Sequence, residues 1–177
     1  NPVTMIASSL KMAEKHEPGS AMRLEMFNIA TEEAKRLETM TTDFLAFART
    51  KPPERKPVAI RDLLDYIAGL AKARLIEKEI SIQVECDEKL TFDVDASQMQ
   101  QAILNLLTNA RNASPPDSKI RLGAGTRNDS SVVYVENMGP AIPANLIERI
   151  FEPFVTSGAN GTGLGLAVSY GIVQEHA

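Results

Sequence analysis

The apolar positions of this chain change period several times, and each change marks an element. Phe27, Ala30, Ala34, Leu37, Met40, Phe44 and Phe47 recur at steps of three and four, which draws one stripe along a helix. A helix before it breaks at "KHEPGS", where Pro18 and Gly19 stop the first and Ser20 is placed to cap the second. The short loop predicts an antiparallel hairpin. A hairpin with such a stripe commonly buries its seam by pairing into a four-helix bundle, so a homodimer is expected. The alternative is that both helices pack on the chain's own globular domain. "TKPPERKP", residues 50–57, ends the helical part, because prolines 52, 53 and 57 cannot continue a helix and bias their predecessors to extended backbone.

Beyond that boundary the pattern predicts a short strand near Val58, a helix over 61–77, and strands over 80–85 and 90–94. A helix over 97–113, strands over 119–126 and 131–136, a helical turn over 145–150, a loop and a last helix after Gly163 follow. The expected fold class is α+β: a helical hairpin (1–50), a linker (51–57), and a two-layer α/β sandwich with a mixed sheet (58–177).

With 177 residues, 44% of them hydrophobic, the chain can bury one substantial core and carry a smaller appendage. A net charge of -4 and few aromatics argue against a nucleic-acid partner or an anionic membrane. Cys86 stands alone, which excludes an intramolecular disulfide and a cysteine metal cluster and suits a reducing compartment. Its setting in "ISIQVEC" reads as a buried strand thiol. No apolar run approaches the about 20 residues of a membrane helix, so no membrane contact is expected within these residues, although a longer parent can be anchored elsewhere.

Candidate chemistry begins in "MQQAILNLLTNARNAS". Met99, Ile103, Leu106, Leu107 and Ala110 share one helical face, and Asn105, Asn109 and Asn112 the opposite one. An asparagine row is a solvated face or a binding face. Asparagine is a poor helix former, and its amide oxygen suits a hard cation such as magnesium. "VENMGPAIP" then turns through Gly139, Pro140 and Pro143 and leaves Asn137 at a strand end, either as an ordinary turn or as a ligand contact. Finally "IFEPFVTSGANGTGLGLAVSYGIVQEH" runs from an aromatic-proline anchor through a loop of small residues to glycines before a helix. Free amides and the dipole at a helix start form an anion site, yet neither G-x-x-x-x-G-K-S/T nor G-x-G-x-x-G is present. The glycines of "NGTGLGLA" therefore read as a phosphate cradle or as a place of close helix packing.

In order and spacing, "NLLTNA", "NMGPAIP", "FEPF" and "GTGLGL" resemble the nucleotide-binding domain of sensor histidine kinases. That domain lies within the wider GHKL superfamily of gyrase, the heat-shock chaperone and MutL-type ATPases. The resemblance covers essentially all 177 residues: "EEAKRLETMTTDFLAFAR" and "NPVTMIASSL" resemble the two helices of that family's dimerisation and phosphotransfer hairpin. Asn1 and Pro2 match the end of its His-Glu-x-x-Asn-Pro pattern, so the resemblance implies an acceptor histidine four residues before Asn1.

Carried over by position, the resemblance makes Asn109 the magnesium ligand, Asn105 a neighbour at the phosphates, and Asn112 a further nucleotide contact. Asn137 takes the place of the aspartate that accepts from the adenine amino group. Gly139 and Ala141 fall at the glycines of that box, with Ile142 beside them, and Phe151 and Phe154 anchor the lid. Gly161, Gly163 and Gly165 form the second glycine box, and Thr162, Leu164 and Leu166 are further nucleotide contacts within it, the two leucines also seating the last helix on the core. Asn1 matches a position that orients water for dephosphorylating the partner protein.

The implied activity is a protein histidine kinase that uses ATP and Mg2+ and passes the phosphoryl group to a response-regulator receiver domain. The implied setting is the cytoplasmic portion of a sensor that can be membrane-anchored. In hydrolysing relatives a glutamate base stands at the position of Asn105, which cannot act as one, so transfer is favoured over hydrolysis. The hairpin counts against a hydrolysing ATPase or a serine kinase. Three departures stand out: Asn137 lacks the aspartate's charge, Ala141 adds a methyl, and Gly158 replaces a common lid lysine. A decayed, non-catalytic signalling dimer is the rival they suggest. Relatives continue past "QEHA" through a glycine to a final strand, so the catalytic domain is expected to lack its last strand here. His16 and His176 fall outside the family motif and read as surface histidines without a role.

Overall fold

The computed structural model describes residues 1–48, 51–128, 130–156 and 161–177. Helix α1, Pro2–Ala13, opens with Asn1 Oδ1 accepting from Val3 N at 3.1 Å and with proline in its first turn, where the missing N–H costs nothing. The chain reverses through Gly19 at φ 84, and Ser20 Oγ accepts from Arg23 N at 3.3 Å to start α2, Ala21–Ala48. Twelve residues reach about 18 Å along a 28-residue partner of about 42 Å, so α1 covers only part of α2. Of the apolar stripe read from the sequence, Ala30 is buried and Met40 half-buried, while Phe27, Ala34, Leu37 and Phe44 are exposed. The Phe47 side chain lies outside the described residues.

The sandwich follows. Strand β1, Lys56–Ala59, pairs antiparallel with β3, Thr91–Val94, as a separate two-stranded ribbon. It begins within the stretch read as linker, with Pro57 opposite Asp93, because a ribbon edge does not need the N–H that proline lacks. Strands β2 (Ser81–Glu85), β4 (Lys119–Arg127) and β5 (Ser130–Asn137) form the mixed sheet in the order β2-β4-β5, parallel then antiparallel. Its register stacks Ile82 with Ile120 and Val84 with Leu122, while Val133 and Val135 lie opposite Ala124 and Leu122. Helices α3, Ile60–Ile76, and α4, Ala96–Ala113, supply Leu64, Ile67, Ile103 and Leu107 to this one core. Full burial of each such side chain contributes about 1.5–3 kcal/mol. Helix α5, Ala144–Ile147, is a single turn, and α6, Gly165–His176, lies on α4.

The outer face of the sheet is polar. Arg121 holds Glu85 with two hydrogen bonds, at 2.9 and 2.7 Å, and reaches Glu136 at 2.6 Å. Tyr134 lies across Gly123, where a Cβ would stand 2.2 Å from its ring, and donates to Glu85 Oε2 at 3.0 Å. Arg121 and Tyr134 together hold the Glu85 carboxyl down at about 2.

Two thiol and imidazole expectations change. Cys86 lies one residue past β2 and is only partly buried, because the strand ladder ends at Glu85. His176 ties α6 to the start of α4. Its Nε2 accepts from Asp95 N at 3.0 Å while Nδ1 sits 2.8 Å from Ile172 O, which requires the proton on Nδ1. Asp95 itself caps α4. Its Oδ1 takes Ser97 Oγ at 2.7 Å, Ser97 N at 3.0 Å and Gln98 N at 3.2 Å, and Oδ2 takes Glu54 N at 2.9 Å.

The Ser97 hydroxyl, then the backbone amides, lower the Asp95 carboxyl from 3.8 to about 2. A depressed folded pKa gives stability that is present above the ordinary value and lost as pH falls through about 2. Asp95→Ala is therefore expected to cost about 1 kcal/mol at pH 7 and much less at pH 2, read by denaturant melts at the two pH values.

Candidate nucleotide site

Three elements meet along the polar side of α4. Asn105, half-buried, donates from Nδ2 to Gly165 O at 3.0 Å and to Ser169 Oγ at 3.4 Å. Ser169 is buried and bonds in turn to Gly165 O at 2.9 Å and Ala102 O at 3.3 Å. Asn105 and Ser169 thus clamp the first turn of α6 against α4, which is also why Ala102 is buried although the helical pattern did not single it out. Asn109, one turn further, is exposed, and no hydrogen bond among the described residues engages its carboxamide. Asn112 is exposed as well. By helical rise, Asn105 and Asn112 stand about 10 Å apart along the axis.

The glycines before α6 differ in what they do. Gly163 has φ 69, and a Cβ there would fall 2.5 Å from the Phe154 carbonyl carbon. Phe154 N donates to Gly163 O at 2.9 Å, and Phe154 is itself at φ 67, a rare conformation for an aromatic residue. Phe154 is held through its main chain and is 64% exposed. The Phe151 ring lies 5.2 Å from that of Tyr170 on α6. A Cβ on Gly165 would meet Asn105 at an ordinary 3.6 Å. Gly161 is exposed, Leu164 is buried and Leu166 half-buried. Thr162 Oγ1 accepts from Leu164 N at 3.3 Å and donates to Asp43 Oδ2 at 2.7 Å. Gly158 and Asn160 lie outside the described residues.

At the other end of α4, Asn137 closes β5 on the core-facing register, opposite Ile120. Gly139 backs onto α4, where a Cβ would stand 2.5 Å from Ala113 O and 2.7 Å from Asn137 Nδ2. Its need for glycine is close approach. Ala141 has no positive φ and is exposed, as is Ile142, so the methyl of Ala141 meets no backbone strain. Asn1 stands apart on the hairpin as the cap of α1.

Helix α4 links these groups: Gly139 packs against Ala113 at its C-terminal end, and Gly165 at the start of α6 is held by Asn105 near its middle, one turn before Asn109. Among the described residues no cluster of three or more His, Cys, Asp or Glu side chains is able to hold a metal. The Asn109 carboxamide fits the alternative, a hard cation that shares its coordination with phosphate oxygens and water. Sequence reasoning did not identify Ser169 or Asp43. Ser169 carried one signal, a small polar residue four positions after Gly165 on an otherwise apolar face.

Residues 94–177 match the family model of histidine kinase-, DNA gyrase B- and HSP90-like ATPases. The catalytic domain of the histidine kinase ThkA, solved free of nucleotide, is 30% identical, covers 70% of this chain and 82% of its own, and superposes with a TM-score of 0.64. This chain belongs to the sensor histidine kinase family. The sensory histidine kinase/phosphatase NtrB of Rhodobacter capsulatus is 33% identical over 191 residues, 99% of this chain and 53% of NtrB. ThkA in complex with the response regulator protein TrrA is 26% identical with a TM-score of 0.81, over 99% of this chain and 51% of that one. The chain thus spans about half the length of these histidine kinases. Within the kinase family's GHKL fold, α4 is the helix against which both Gly139 and the first turn of α6 pack. Among the described residues no helix is long and apolar enough to cross a membrane.

Proposed function

We propose that this chain is the core of an ATP-dependent protein histidine kinase in two-component signalling. The carrying observation is the clamp from Asn105 to Gly165, which sets the start of α6 against α4 one helical turn before Asn109. Adenine lies at Asn137 and Gly139, where the Asn137 amide oxygen accepts from its amino group. The triphosphate lies toward the glycine turn, where α6 amides and the helix dipole meet its charge. Asn109 holds magnesium, which supplies charge neutralisation on the phosphates.

Phosphoryl transfer has a loose transition state, so the chain's residues act by positioning rather than by covalent chemistry. The acceptor is a histidine nitrogen upstream of Asn1; its bond to the γ-phosphorus forms as the bond to the ADP oxygen breaks, and a response-regulator aspartate then receives the group. Hydrolysis is disfavoured by Asn105 itself, whose NH2 is already spent on Gly165 O and which has no proton-accepting group for water. ATP supply places these residues in the cytoplasm, and Asn1 is the residue assigned to dephosphorylating the partner.

The test is a chain extended upstream through the expected histidine and incubated with γ-labelled ATP and Mg2+. The expected label is lost in acid and kept in alkali, as for a phosphohistidine. Acid-stable label contradicts the proposal, and so does release of labelled phosphate with no label on the protein.

The exposed stripe on α2 supports a homodimer through the hairpin. Phe27 lies on the part of α2 that α1 runs along and is still 41% exposed, and mutual burial with a second copy removes this apolar surface from water. The chain is expected to sediment as a dimer and the Phe27→Glu variant as a monomer; a wild-type monomer at micromolar concentration contradicts the pairing.

A further inference from the structure

Asp43 belongs to the hairpin, yet its carboxylate reaches the glycine turn of the nucleotide site. Thr162 Oγ1 donates to Asp43 Oδ2 at 2.7 Å, joining residues 119 positions apart, and the same hydroxyl oxygen accepts from Leu164 N at 3.3 Å. A carboxylate thereby stands one hydroxyl away from the helix start that suits a triphosphate. Thr162 has a single hydroxyl proton. While it is given to Asp43 it is not available to a phosphate oxygen, and a second anion brought to the same turn is repelled by the first. The turn is also held in an unfavourable shape, with Phe154 at φ 67 bonded to Gly163 and Gly163 at φ 69 pressed against the Phe154 backbone. Helix α2 contacts the sandwich through α6, so this bond lies where hairpin and catalytic domain meet.

We propose that Asp43 is a positioning residue: it pins Thr162 and the glycine turn in a nucleotide-free arrangement until an incoming nucleoside triphosphate displaces it, loosening the hairpin from α6. The proposal rests on the nucleotide site described above. A hydrogen bond to a charged group is among the stronger ones, so its loss is legible in an affinity.

The experiment titrates the 177-residue chain with the Mg2+ complex of a non-hydrolysable ATP analogue, as wild type, Asp43→Ala and Asp43→Asn. Asp43→Ala is expected to tighten binding about tenfold, equivalent to about 1.4 kcal/mol. Asp43→Asn keeps an acceptor for Thr162 but not the charge, and is expected to tighten it less. Hydrogen exchange of the α2 amides around Asp43 is expected to rise when the wild type binds nucleotide and to start high in Asp43→Ala. A residue that merely supports the fold lowers the melting temperature without tightening the nucleotide. Unchanged or weaker affinity in Asp43→Ala overturns the latch and leaves the nucleotide site standing. A folded wild type that binds no nucleotide overturns both. Should Asp43→Ala fail to fold, Asp43→Asn decides: affinity no tighter than wild type overturns the latch.

Discussion

Gly163→Ala is expected to disable the nucleotide site and to lower stability by about 2–4 kcal/mol, whereas Gly165→Ala leaves stability unchanged or slightly raised. The two glycines are separated by one residue but carry different constraints. At φ 69 an alanine at 163 meets the left-handed penalty, and its Cβ, 2.5 Å from the Phe154 carbonyl carbon, pushes on backbone rather than on a flexible side chain. The turn must then move, and Thr162 with it, so the bond to Leu164 that shapes the start of α6 goes, and release from Asp43 does not restore the displaced α6 amides. At 165 the added methyl sits at 3.6 Å from Asn105, inside the first turn of a helix that alanine favours. Thermal melts resolve the difference, since about 3 kcal/mol shifts the midpoint of a chain this size by about 6–12 °C. Equal melting temperatures for the two variants contradict this account of the turn.

Asn109→Ala is expected to abolish labelling of the extended chain while changing its melting temperature by less than about 2 °C. The side chain is exposed and makes no hydrogen bond among the described residues, so its removal leaves no buried group unpaired. The amide oxygen is the cation ligand in the proposed site, and without the cation the γ-phosphate charge is left to the α6 amides alone. Loss of function with an intact fold separates a ligand from a packing residue. Full labelling by Asn109→Ala contradicts the assignment.

The elements were legible where one-sided burial imposes a single period. The helix expected over 97–113 is observed over Ala96–Ala113, and strands expected over 119–126 and 131–136 appear as Lys119–Arg127 and Ser130–Asn137. Their core residues alternate or recur because each element meets the interior on one side only. The pattern fell short where two elements far apart in sequence decide the outcome. Ala102 is buried by α6, and Asn105 spends its NH2 there, 60 residues downstream. Phe154 takes a positive φ because Gly163 lies against it, which no local propensity encodes.

The candidate site was legible as an order of motifs, but not as contacts. The Thr162 bond to Asp43 has no periodic signature, and Ser169 had only its place four positions after Gly165. Of the two purposes the sequence left open for the glycines of "NGTGLGLA", close packing is what Gly163 shows, and the α6 start behind it is the phosphate site proposed above.

Calorimetric titration of this chain with a non-hydrolysable ATP analogue, with and without millimolar Mg2+, decides whether the α4 face is a nucleotide site. Saturable one-to-one binding is expected, with full affinity only when Mg2+ is present and no such dependence in Asn109→Ala. Absence of binding heat at millimolar analogue and Mg2+, with the chain folded, contradicts it.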